Sequence, residues 1–208
     1  MSRIAFRVCA SLIVAAIGAL AAPASFAQAG PACDRVCLQR VVDKYLDALV
    51  AHDPSRAPFA PTAKVTENGQ DLGLHEGLWQ TADGNSTYRL YFADVPQGQV
   101  GFIGVIQEHG LPAIIALRLK VDNNKLITEA ETIVSRATAG GFAKPENFIK
   151  PNPNLVGVLP PGERVPRAEM IRIANHYFTG LDEEDTGKNV PFDPECARRE
   201  NGAETANS

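Results

Sequence analysis

Residues 111–136 read "LPAIIALRLKVDNNKLITEAETIVSR", and their alternation decides the fold. In 111–121, Ile115, Leu117, Leu119 and Val121 share one face of a strand, while Arg118 and Lys120 take the other. "DNN" (122–124) has hairpin length, and "KLITEAETIVSR" (125–136) continues as another strand. Upstream, "STYRLYFA" (86–93) and "GQVGFIGVIQE" (98–108) have the same character, and "EHG" (108–110) is a second short connection. The four runs therefore form an antiparallel meander.

The flanking segments change period. Residues 34–51 place Leu38, Val41, Val42, Tyr45, Leu46, Leu49 and Val50 at the spacing of an amphipathic helix, with Asp34 as N-cap. "SRAPFAPTA" reads as loop, "KVTEN" as a short strand, and 71–85 as an irregular stretch broken by glycine. Residues 137–166 carry Pro145, Pro151, Pro153, Pro160, Pro161 and Pro166, a density that forbids helix and discourages strand. They read as an extended linker lying over the preceding domain. A second amphipathic helix follows, with Met170, Ile171, Ala174, Tyr177, Phe178 and Leu181 as its apolar positions.

The N-terminus has Arg3 and Arg7, an apolar run from Cys9 to Ala22, and Ser25-Phe26-Ala27 at the positions a signal peptidase reads. Residues 1–27 are therefore expected to be a secretory signal peptide, and the mature protein to be exported, periplasmic or secreted. Their removal takes two arginines and no acid, moving the formal charge from −4 to −6. That balance argues against nucleic acid or anionic membrane as partner. In an oxidising compartment a disulfide is expected among Cys33, Cys37 and Cys196, with the pairing open. A Cys33–Cys37 bridge would require a distorted first helical turn. No Cys-x-x-Cys, phosphate loop or Gly-x-Ser-x-Gly elbow is present, and neither metal nor cofactor is expected.

The chain also repeats itself. With Tyr45 set on Tyr177, Leu49 falls on Leu181 and Asp53 on Asp185. After one extra residue, Pro58, Phe59 and Pro61 fall on Pro191, Phe192 and Pro194, and Glu67-Asn68-Gly69 falls on Glu200-Asn201-Gly202. Residues 28–136 thus read as a complete domain, 137–166 as linker, and 167–208 as a partial second copy, helix plus loop.

"YLDALVAHD", "FAPTAKVTEN" and "LRLKVDNNKLITEAETIV" resemble the SnoaL-like branch of the nuclear transport factor 2-like superfamily, over residues 34–136. The doubled pattern also resembles a group of exported proteins with two such domains in tandem. The resemblance implies an α+β fold in which a cone-shaped, curved antiparallel sheet packs on helices and leaves a pocket between them. In steroid-isomerase-like members an acid at the end of the first strand is the general base and a first-helix tyrosine stabilises the oxyanion. Glu67 and Tyr45 match those positions, whereas the second acid of those isomerases is replaced here by Leu117.

Chemically, a carboxylate in an apolar cleft can shuttle a proton and a buried phenol can hold developing negative charge. Tyr45 equally fits a packed core tyrosine, and Glu67 a structural role at the glycine turn, since Glu200 recurs in the copy without a meander. His75 and Trp79 lie in the segment that should roof the pocket. Tyr88 and Tyr91 point to opposite faces of one strand, so one of the two lines it. Glu129 and Glu131 read as soluble surface. These residues support three functions: an isomerase, dehydratase or lyase acting on a small, mostly apolar molecule; a non-catalytic small-ligand carrier; or a dimerisation module.

Overall fold

A computed structural model describes residues 33–137, 143–182, 190 and 192–206. The expected signal peptide (1–27) and the repeat positions Asp185 and Pro191 lie outside the described residues.

The first helix, α1 (Arg35–Val50), starts where Asp34 accepts a hydrogen bond from the Cys37 N–H at 2.8 Å. It ends in a Schellman arrangement: Asp53 N–H donates to Ala48 O and His52 N–H to Leu49 O, with His52 at φ 53°. The apolar positions predicted for its inner face are buried except Val50, which ends the helix and is half-buried. Cys33 and Cys37 form a disulfide with Cα atoms 5.2 Å apart. The expected distortion of the first turn does not occur, because Cys33 precedes the cap and reaches the helix from outside it.

Strand β1 (Phe59–Glu67) turns through Asn68-Gly69 into the short β2 (Gln70–Asp71). Both turn residues have positive φ, 48° and 79°, the pairing that a two-residue hairpin of this hand demands. "KVTEN" therefore belongs to a strand longer than expected. It accommodates Pro61 because pairing with its neighbour is interrupted between Phe59 and Lys64. A single helical turn, α2 (Leu78–Thr81), leads directly into β3 (Ala82–Asp94), and β4 (Gln99–Glu108), β5 (Leu111–Val121) and β6 (Ile127–Arg136) complete the meander.

The sheet order is β2-β1-β6-β5-β4-β3, with β1 parallel to β6 and every other pair antiparallel. The fold is α+β, a large curved sheet with helices, as the sequence implies. Its inner face packs Phe102, Ile115, Leu117, Leu119 and Ile127 against α1. On the outer face Arg118 bridges Glu129 and Glu131, and Lys120 bridges Glu129.

Beyond the sheet the proline-rich segment is not wholly extended. It holds single helical turns at Pro145–Asn147, α3 (Pro153–Val156) and Pro161–Glu163. Each begins on a proline, whose fixed φ and missing N–H suit the first helical position, so proline starts turns here that it would break further along. Helix α4 (Arg167–Asp182) is followed by a hairpin, β7 (Arg198–Glu200) and β8 (Ala203–Ala206), where the sequence suggested loop.

Candidate functional site

Two places gather the residues singled out by sequence. The first lies inside the cone, at the end of β1. Glu67 Oε2 accepts the Leu78 N–H at 2.8 Å and Oε1 faces Arg136 Nη2 at 3.2 Å. Helix α2 has Gly77 as its cap residue, at φ 57° and without a side chain. Glu67 supplies from β1 the carboxylate that an N-cap side chain would otherwise provide. A Cβ on Gly77 would overlap Glu67 Oε2, so the glycine is what lets the acid approach.

Arg136 extends the cluster. It grips Glu108 with two N–H groups, Nε to Oε2 and Nη2 to Oε1, the latter at 2.8 Å. Thr81 Oγ1 donates to Glu108 Oε1 at 2.6 Å. Hydrogen bonds from Arg136 hold the Glu108 carboxyl below its ordinary value, and the two acids push the Arg136 guanidinium up, Glu108 first.

Tyr45 lies deeper. Its ring meets Trp79 at 5.2 Å and Phe59 at 5.9 Å, edge-on in both cases, so rings from α1, β1 and α2 pack on one another in the core. Its hydroxyl is 3.5 Å from Thr132 Oγ1. Burial pushes the phenol above its ordinary pKa; Thr132 and Trp79 offset part of this, and the nearby Glu67 charge adds to it. The Trp79 indole N–H is buried and meets no acceptor at hydrogen-bond geometry. Trp79 thus sits on a helical turn in the core, where a pocket-roofing loop was expected. His75 is exposed. Tyr91 is on the inner face, where its hydroxyl donates to Asp43 Oδ1 at 2.6 Å beside Arg89.

Tyr88 is on the outer face, and the second place forms there. A cavity of about 500 Å3 lies between the sheet and the chain that follows it. Its floor is Tyr88, Leu90, Ile103 and Ile114. Asn147, Phe148, Lys150 and Leu155 form one wall, and Arg199, Asn201 and Gly202 the other. The walls are tied together: Lys144 N–H donates to Asn201 O at 2.7 Å and Asn147 Nδ2 to Gly202 O at 2.8 Å. Phe148 stands edge-on against Tyr88 at 5.0 Å. Burial raises the Tyr88 phenol pKa, and the approach of Arg199 lowers it in part.

The model of a family described as a domain of unknown function, DUF8021, matches residues 31–134 and 163–208. The chain belongs to the DUF8021 family. The matched stretches leave out the proline-rich segment, so one wall of the outer cavity in this DUF8021 chain comes from residues outside the match. No curated protein matches the chain. A de novo designed protein with a curved β-sheet is 13% identical, with a TM-score of 0.38 over 49% of this chain and 88% of its own. A Kribbella flavida protein provisionally named a ketosteroid isomerase is 16% identical, with a TM-score of 0.40 over 59% of this chain and 90% of its own. Neither likeness bears on activity.

Sequence reasoning found Glu67, Tyr45 and Trp79 but not their partners Arg136, Glu108 and Thr132. Arg136 ends a strand and reads as a surface charge. The signal was Glu67 itself, an acid ten residues ahead of a glycine that opens a helical turn. The outer cavity was missed because a proline-rich stretch was read only as a linker.

Proposed function

We propose that this protein is an exported, non-catalytic carrier of a small organic molecule, held in the cavity on the outer face of the sheet. The observation that carries the reading is that cavity. Its volume of about 500 Å3 falls in the range of roughly 300–1,000 Å3 usual for small-molecule sites, and an apolar floor meets a few polar groups there. Inside the cone, Tyr45 and Trp79 pack edge-on in the core, and both oxygens of Glu67 are already engaged. Export draws support from the N-terminal signal pattern and from the Cys33–Cys37 disulfide. Among the described residues no helix is long and apolar enough to cross a membrane.

Proton-transfer catalysis of the isomerase or lyase kind is the second reading. It draws on one observation, a buried Tyr45 phenol within the field of the Glu67 carboxylate.

The deciding experiment is native mass spectrometry, without reductant, on protein from the exported fraction of its host. The carrier reading expects a chain beginning near Gln28 with the added mass of one small organic molecule. A bare chain in every charge state, unable to take up any compound from the host's extract, would sink the carrier reading. Retention of residues 1–27 would sink export.

A further inference from the structure

We infer that the outer cavity selects an organic anion, with an apolar body on the floor and an acidic head at the Lys150–Arg199 rim. The inference rests on the carrier reading and names its ligand class.

The charge of the lining carries the argument. The protein has a formal charge of −4, yet among the described residues no Asp or Glu lines the cavity, whereas Lys150 and Arg199 both do. Two of the wall amides are engaged within the protein. Asn147 Nδ2 is committed to Gly202 O, and Asn152 Oδ1 accepts the Asn154 N–H at 2.9 Å. These two amides hold the walls in shape, and Lys150 and Arg199 are the charged groups of the lining. Arg199 also touches Glu204 at 3.2 Å, but the arginine is exposed and such pairs are weak in water and salt. Arg199 and the floor residue Tyr88 line the same cavity. Leu90, Ile103 and Ile114 offer no hydrogen bonds to a sugar or polyol, so the body that fits is hydrocarbon.

The test uses two fluorescent probes that share a ring system, the anion 8-anilino-1-naphthalenesulfonate and the neutral N-phenyl-1-naphthylamine. Both are titrated into the full chain and into two sets of variants. Lys150→Gln with Arg199→Gln removes the cations. Ala116→Phe, and separately Leu90→Trp, fill the cavity, and each is used only where its thermal midpoint matches the parent. The expected result is saturable 1:1 binding of the anion, five- to tenfold tighter than the neutral probe at low salt, the scale of two exposed charge contacts. The double variant erases that preference and leaves the neutral probe unchanged, while the filled variants lose both. Equal binding of both probes, lost in the filled variants, overturns the ligand class and leaves the carrier reading standing. Binding that survives both filled variants overturns the carrier reading itself.

Discussion

Replacing Glu67 by Gln separates a structural acid from a catalytic one. The glutamine keeps the shape and one carbonyl oxygen for the Leu78 N–H, now 2.8 Å from Oε2. It loses the charge facing Arg136 and turns an amide N–H toward one of its two neighbours. The Glu67 side chain is only 13% exposed and Arg136 37%, so the pair is partly screened. Charge-assisted hydrogen bonds contribute about 1.5–3 kcal/mol when buried, and discounting for the exposed arginine and the retained acceptor leaves about 1–2 kcal/mol. For a chain of this size the melting temperature should fall by roughly 2–8 °C. A cycle with Arg136→Met should show a coupling energy of about 1 kcal/mol, because the two side chains touch. Thermal unfolding by circular dichroism reads both quantities. A Glu67→Gln protein as stable as the parent, or more stable, would refute the structural argument and restore Glu67 as a candidate base.

Gly77→Ala should be more damaging, by about 2–4 kcal/mol in chemical denaturation, because φ 57° disfavours a Cβ and that Cβ overlaps Glu67 Oε2; a loss below 0.5 kcal/mol would mean that α2 can move away freely. Acid should weaken the fold through Glu108. Its folded pKa is depressed, chiefly by Arg136, so its contribution is complete above the ordinary carboxyl value of 4.5 and is lost as pH falls through the lower folded value. Melting temperature should therefore drop below about pH 4.5, and Glu108→Gln should be less stable at pH 7 and show a shallower drop. Amide exchange should be on the order of 100-fold slower in α1 than in α4, since the inner face of α1 is buried whereas Met170, Ile171 and Phe178 of α4 are exposed; equal protection would show that α4 is covered in solution.

The meander was legible because alternation is a local property. Ile115, Leu117, Leu119 and Val121 must face the core together once the segment is a strand, and they do. The helix was legible for the same reason at its own period. The parallel pairing of β1 with β6 was not, because it joins residues 65 to 68 positions apart and no local pattern announces it. Nor was the Glu67–Arg136–Glu108 cluster, whose members come from the ends of three strands. Tyr45 and Glu67 were found by position and residue type, but position alone does not say whether space remains beside them. That depends on how Trp79 and Phe59 pack, and both rings stand edge-on against Tyr45. The outer cavity depends on where Asn147, Phe148 and Gly202 settle, a tertiary matter that proline content conceals.

The repeated Glu-Asn-Gly shows what a motif can and cannot carry. Asn201 and Gly202 adopt φ 47° and 83°, within a few degrees of Asn68 and Gly69, and both pairs close two-residue hairpins. Turn geometry recurs because the Asn-Gly pair itself demands it. The surroundings do not recur. Asn68 exchanges hydrogen bonds with the Val134 backbone on β6, accepting from its N–H at 2.8 Å, whereas Asn201 O accepts from Lys144. Glu200 pairs with Arg198 on its own strand at 3.1 Å. The Glu67 carboxylate instead caps α2 and meets Arg136. The role of Glu67 is therefore set by α2 and Arg136, not by the motif that contains it. An acid that caps a helix start and meets an arginine from another strand, where its repeat meets only Arg198 of its own strand, is an element of this domain's architecture first. Any chemistry assigned to it has to displace those partners.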